Sequence, residues 1–255
     1  MALTDRTFRT PALILKRRDF GEADRLLTIF SPVYGKREAI AKGARKPAST
    51  KTGHVELFTC ADMLITRGRE MDIATQAEMT EPFLHIRENL RAGAYASYIA
   101  ELVDKFTFDG DPDPKSLYDL TYATFQHLCN DPDPRLAVRY FEIHLLDTVG
   151  FRPELNECVI THEKIKPEDQ YFSYADGGVV NPTAHHLTSG VIPVSMDTLH
   201  LMRHMQRSDY RAVRDLRGVP LKVHQETERL LLGYIGFLLE RRLESVEFIR
   251  RVCDI

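Results

Sequence analysis

Long hydrophobic runs are missing from this 255-residue chain. None approaches the roughly 18 to 20 apolar residues that a bilayer span requires, so a helical membrane protein is not expected. Paired cysteines are missing as well: Cys60, Cys129, Cys158 and Cys253 are scattered without a repeated spacing, which argues against a disulfide framework and for a reducing compartment. No apolar stretch of useful length precedes the basic cluster Lys16, Arg17 and Arg18, so the expectation is a cytoplasmic protein without a secretory leader. Enzyme signatures are absent too. There is no glycine-rich dinucleotide or phosphate loop, no HExxH pair and no GxSxG turn, and the chain is expected not to be an enzyme. Glu22 and Asp24 lie two apart in a turn and read as solvated or paired to Arg25 rather than as an acid/base pair. An excess of positive charge is lacking in the total, which is -3 at pH 7 and by itself speaks against a polyanionic partner.

Counted by region, the charge tells a different story. Residues 1 to 80 hold 14 Lys and Arg against 10 Asp and Glu, while residues 81 to 255 hold 20 against 27, giving +4 and -7. Such asymmetry fits one module that meets a polyanion and another that does something else. The densest basic stretch is Tyr34 to Lys51, YGKREAIAKGARKPASTK, where Lys36, Arg37, Lys42, Arg45, Lys46 and Lys51 face the single acid Glu38. It alternates polar and apolar through Lys42, then breaks at Gly43 into a segment too rich in Gly, Pro, Ser and Thr to continue as a strand. Cations on a strand and its following loop suit a groove for single-stranded nucleic acid, with Phe20, Phe30 and Tyr34 as candidate stacking rings. The plainer alternatives are a solvated basic loop and, for Phe30 and Phe20, burial in a core.

Periodicity divides the chain near residue 80. Pro11 to Lys16, Arg25 to Phe30, Lys36 to Lys42, Val55 to Thr66 and Met71 to Met79 read as five strands. Five strands in about 80 residues suggest a small closed barrel of the oligonucleotide-binding type, with an open sheet or an SH3-like barrel as alternatives. From Glu81-Pro82 the period becomes helical. The pattern predicts a helix over 84–107, a second from Asp113-Pro114 to Asn130 and a third from Asp133-Pro134 to Val149, each Asp-Pro supplying a cap and a first helical residue. Residues 151–194 break this pattern. There Asp176-Gly177-Gly178 joins Tyr171–Tyr174 to Val179-Val180 as a hairpin,. Helices from Ser195 to Arg207 and from Pro220 to Glu244 complete the expectation: an α+β protein with a barrel at 1–80, a mostly helical domain at 81–255 and a small β-hairpin inset.

The segment ALILKRRDFGEADRLLTIFSPVYGKR from Ala12 to Arg37, followed by AIAKGARK, resembles the bacterial recombination-mediator family RecO. Arg139-Tyr140-Phe141-Glu142, Gly150-Phe151-Arg152-Pro153-Glu154-Leu155 and Pro220-Leu221-Lys222 extend the likeness over most of the chain. The resemblance implies an oligonucleotide-binding barrel, a helical domain and a zinc-ribbon-like inset. It further implies binding to single- and double-stranded DNA, annealing of complementary strands, and loading of the recombinase RecA with the partner RecR onto DNA coated by single-stranded DNA-binding protein. On this likeness Lys36, Lys42, Arg45 and Lys46 match the basic strand and loop, while Arg17 and Arg18 end the first strand. Arg139, beside Tyr140 and Phe141, falls where similar proteins meet the acidic tail of single-stranded DNA-binding protein; the alternative for Arg139 is a pair with Glu142. The inset departs from the family. Where relatives carry two CxxC pairs, this chain has Cys158, Thr161, Asn181 and Ala184, so no zinc and no other cofactor is expected, a set of Cys158, His162, His185 and His186 being the weaker alternative. Without the family, the competing reading is an RNA-binding barrel protein of translation or ribosome assembly.

Overall fold

The computed structural model describes residues 6–47, 49–111, 113–131 and 133–253, and contacts group the chain into two compact units, Met1–Asp131 with Glu244–Ile255 and Pro132–Leu243. The change from strand to helix near residue 81 falls inside the first unit.

Five strands, β1 (Thr7–Phe20), β2 (Asp24–Ser31), β3 (Gly35–Ala41), β4 (Cys60–Thr66) and β5 (Asp72–Glu81), close into a barrel in the order β1-β2-β3-β5-β4. All neighbouring pairs are antiparallel except β3 and β5, which run parallel through Ala39 against Asp72 and Ile40 against Ile73. This is the oligonucleotide-binding barrel expected from the strand count. Its interior is lined by Phe8, Ala12, Ile14, Leu27, Ile29, Ala39, Ala41, Met63 and Ile65. Alternation puts Leu13, Leu26 and Phe30 on the outer face, yet all three are buried. Helices explain this: α1 (Leu84–Glu88), α2 (Leu90–Phe106) and α3 (Pro114–Asn130) follow the barrel, α2 packing on β1 and α3 on β2 and β3. Tyr118 of α3 meets Phe30 at 6.2 Å between ring centroids.

Several boundaries differ from the sequence expectation, beginning with the first strand, which runs over Thr7–Phe20 rather than Pro11 to Lys16. The strand expected from Val55 begins at Cys60, because a 3-10 turn at Thr52–His54 and a left-handed Phe58 (φ 57) interrupt extended backbone. The single helix expected over 84–107 is two helices. Asn89 is extended, and its side-chain oxygen accepts from the Ala92 amide at 3.0 Å, starting α2 afresh,.

The second unit holds α4 (Arg135–Thr148), β6 (Gln170–Ser173), β7 (Gly178–Val180), β8 (Ile192–Val194), α5 (Met196–Arg207), α6 (Tyr210–Arg214) and α7 (Leu221–Leu239). Pro134, rather than Asp133, occupies the cap of α4; the Asp133 carboxylate instead accepts from the Arg135 amide and guanidinium. The expected hairpin is present, and β8 adds a third strand that pairs with β6, giving the order β7-β6-β8. Phe172 of β6 is buried and packs edge-on to Tyr234 of α7 at 5.5 Å. Gly233 admits the Tyr174 hydroxyl onto α7, since a Cβ there would lie 1.9 Å from that oxygen.

The long helix expected to reach Glu244 stops at Leu239, where Glu240 turns left-handed (φ 51). A further helix, α8 (Glu244–Cys253), returns to the first unit and packs on α2. The buried Glu101 carboxylate of α2 receives the amides of Glu244 and Ser245 at 3.0 and 2.9 Å and the Ser245 hydroxyl at 2.5 Å. A carboxylate from a neighbouring helix thus satisfies amides that begin α8.

Candidate nucleic-acid interface

One end of the barrel gathers the cations that keep their charge for solvent. Strand register puts Arg18 opposite Leu26 and Leu26 opposite Ile40, while Phe20 stands opposite Asp24. Lys42 follows Ala41, which faces Arg25, so Phe20 and Lys42 lie about two strand spacings, or roughly 10 Å, apart. Gly43, at φ +67, bends the chain in a conformation that a side chain would resist. Two bonds then fasten the basic loop to the β1–β2 turn: the Gly43 amide to Asp24 Oδ1 at 2.7 Å and the Arg45 amide to the Ala23 carbonyl at 2.9 Å. Arg18, Lys42, Arg45 and Lys46 are all exposed. The Arg45 guanidinium makes an exposed contact with Asp19 at 3.3 Å. Phe20 sits among them with 38% of its surface accessible.

The remaining sequence candidates are placed differently. Lys36 lies six residues before Lys42, about 20 Å along the strand, and is directed at α2. Its ammonium donates to the carbonyls of Asp104 and Thr107 at 2.5 and 2.7 Å and stands 3.3 Å from the Asp104 carboxylate. Lys16 reaches the same carboxylate at 2.7 Å. Burial alone would raise the Asp104 carboxyl, but the hydrogen bonds and charges of Lys16 and Lys36 outweigh it and hold the group below its ordinary value,. Arg37 pairs with buried Asp72 at 2.5 Å and with Asp109 at 3.2 Å. Burial disfavours its charge, yet those two acids raise its pKa overall. Lys51 is half-buried and donates to the Ala74 carbonyl at 3.3 Å. Phe30 is core, and Tyr34 is half-buried with its ring 3.8 Å from that of Phe8.

Arg17 enters a cluster that sequence spacing did not reveal. Glu56 pairs with Arg17, with Arg25 at 2.9 Å and with Arg87 at 3.8 Å. Desolvation pushes Glu56 up, but the Arg25 hydrogen bond and the three guanidinium charges prevail and lower it. Three arginines share one carboxylate, leaving local positive charge beside Arg18. Arg25 and Arg87 were missed because only the fold brings residues 25, 56 and 87 together.

Two family models match the chain: Recombination protein O N terminal over residues 3–83 and Recombination protein O C terminal over residues 87–247. The chain belongs to the RecO family. A DNA repair protein RecO from Dehalococcoides mccartyi (strain ATCC BAA-2266 / KCTC 15142 / 195) is 33% identical over 239 residues, covering 94% of this chain and 93% of the relative. That of Roseiflexus sp. (strain RS-1) is 34% identical over 247 residues, 97% of this chain and 86% of the relative. That of Desulfitobacterium hafniense (strain Y51) is 35% identical over 243 residues, 93% and 86% respectively.

In this RecO-family chain the residues considered for a protein tail lie on α4. Arg139 is 3% exposed and its guanidinium is 3.1 Å from the fully buried Glu142; Phe141 is also buried. Tyr140 is half-buried, its ring 4.1 Å from His144 and 5.3 Å from Tyr210. The inset has the turn of a metal knuckle without its donors. Cys158 Sγ is buried and accepts from the amides of Thr161 at 3.5 Å and Asn181 at 3.3 Å. Burial would raise the thiol, but these donors lower it. Asn181 turns its amide group toward Thr161 Oγ1 and Glu163 Oε2, and Ala184 packs against Cys158 and Val180. One sulfur facing an amide and a methyl group does not fit a tetrahedral zinc. The alternative set is not assembled either: His185 stacks on Tyr171 at 4.7 Å with its Nδ1 on the Pro182 carbonyl, and among the described residues no three His, Cys, Asp or Glu side chains form a metal-holding group. No helix among the described residues is long and apolar enough to cross a membrane.

Proposed function

We propose that this RecO-family chain is a non-enzymatic recombination mediator whose barrel end grips single-stranded DNA through Arg18, Lys42, Arg45 and Lys46, with Phe20 offering a face for a base. The observation that carries this reading is the convergence of those exposed cations around an exposed aromatic ring at one end of an oligonucleotide-binding barrel. Neutralising two complementary backbones lowers their repulsion, so annealing follows from the same surface without a covalent step. In recombinational repair the chain acts in the cytoplasm with RecR to load RecA onto DNA coated by single-stranded DNA-binding protein, and it also binds duplex DNA. The acidic tail of that coating protein docks in the second unit at Tyr140, with Arg139 and Phe141 holding α4 behind it. The names carried by the relatives support DNA repair over the competing role in translation or ribosome assembly.

Fluorescence anisotropy with a labelled single-stranded DNA, its RNA equivalent and a tail peptide tests the reading. We expect DNA binding whose logarithm falls linearly with the logarithm of salt concentration. Lys42→Ala with Arg45→Ala is expected to reduce that slope by about 1.4, or about 0.7 for each phosphate no longer neutralised. Tyr140→Ala is expected to weaken the peptide alone. Indifference to DNA at low ionic strength, or a clear preference for RNA, overturns the proposal.

A further inference from the structure

Glu56 is outnumbered by the cations around it. It lies in the irregular segment between the 3-10 turn at Thr52–His54 and β4, and Arg17, Arg25 and Arg87 all reach its carboxylate. Arg17 stands opposite Leu27 and Arg25 opposite Ala41 in the strand register. Because Leu27 and Ala41 line the barrel interior, both arginines continue the inward face and sit at the mouth of the barrel. Arg87 comes from α1. The group adjoins the exposed cations directly: Arg17 precedes Arg18 on β1, and Arg25 follows Asp24, whose carboxylate accepts from the Gly43 amide of the basic loop. Three guanidinium charges face one carboxylate. Each guanidinium carries several N–H donors in a fixed fork, and two carboxylate oxygens cannot saturate three such forks. The group is also open to an incoming ligand, since the side chains of Arg17 and Arg87 are 32% and 33% exposed.

We propose that Glu56 occupies the place of a DNA phosphate, and that a phosphodiester of the bound strand displaces it to reach Arg17 and Arg87. The inference rests on the assignment of the barrel end to single-stranded DNA. A carboxylate and a phosphodiester both carry negative charge and both accept from guanidinium forks, so the two compete for the same donors. Arg25, the more buried of the three, is a positioning residue that holds Glu56 at the mouth of the barrel. The arginines keep Glu56 ionised at neutral pH, so the competitor is present when DNA arrives. The consequence is discrimination. A small free anion gains little by replacing Glu56, whereas a strand already held by Lys42 and Arg45 presents its next phosphate at high effective concentration. That strand is thereby led from the basic loop across the barrel mouth toward α1.

The test is fluorescence anisotropy of the full chain with a labelled single-stranded DNA across a salt series. Glu56→Gln keeps the shape and removes the competing charge, and it is expected to tighten binding about threefold to fivefold at low salt, the scale of one close charge pair in solvent. Glu56→Asp keeps the charge and should not tighten binding. Arg87→Ala is expected to lower the salt slope by about 0.7, one phosphate fewer. Denaturation midpoints and circular dichroism show which variants remain folded. Arg87 meets Glu56 only at 3.8 Å, so its replacement disturbs the cluster least and carries the test where Glu56→Gln does not fold. A cluster with a structural role alone loses stability on Glu56→Gln and gains no affinity. Parent-like or weaker binding by folded Glu56→Gln, or a slope unchanged by Arg87→Ala, overturns the proposal and leaves the barrel assignment standing. Failure of the parent chain to bind DNA overturns that assignment and this proposal with it.

Discussion

Lys36 and Lys42 share a strand and a charge but have different neighbours. The carbonyl that fixes Lys36 belongs to Asp104, 68 residues away, and the acid that fixes Arg37 is 35 residues away. A single sequence displays cations without their distant anions, which is why the basic stretch was legible and its division into clamps and free cations was not. Lys36→Ala is therefore expected to lower stability by about 1–3 kcal/mol, by stranding carbonyls at the end of α2, while leaving the salt slope of DNA binding nearly unchanged. Chemical denaturation beside anisotropy checks both halves. Arg139 follows the same logic more strongly. Arg139→Ala removes the cation beside the buried Glu142 and is expected to cost about 3–5 kcal/mol. Arg139→Met with Glu142→Leu should recover most of that loss in the same assay.

At the scale of elements, the period-2 and period-3.6 patterns located all five barrel strands and the principal helices, because burial on one face governs both. Boundaries set by one residue's backbone were harder to read. Nothing about Phe58 or Glu240 marks them in sequence as left-handed, yet the first shortens β4 and the second ends α7. The start of α8 was hidden for another reason, since its amides are satisfied by Glu101 rather than by a local cap. Glu101→Ala is expected to loosen this helix start, and hydrogen exchange should quicken at the amides of Glu244 and Ser245 while the barrel amides stay protected. Gly233→Ala is expected to cost about 1–3 kcal/mol, because the Tyr174 ring must leave α7 to admit a methyl group,. A measured denaturation midpoint equal to that of the parent would contradict this packing.

Over the whole molecule, the charge imbalance between the two regions was visible from residue counts, whereas the acids that temper the positive region are seen only in three dimensions. Glu56 and Asp104 both titrate below their ordinary values in the folded chain. Each therefore binds fewer protons folded than unfolded between those two values, and stability rises with pH across that interval. The contribution is complete above the ordinary carboxylate range and disappears as pH falls through the lowered folded values. Unfolding midpoints measured from neutral to acidic pH should show this decline, and Glu56→Gln should flatten it.

The chain leaves its first unit after Asp131 and returns to it only at Glu244. During synthesis, residues 132–243 emerge before α8 exists, so the earlier unit waits for α8 to seal α2. Deletion of α8 therefore injures the unit built from residues 1–131 rather than residues 132–243, and a fragment cut at the family-model boundary after residue 83 carries its barrel without α2, α3 or α8.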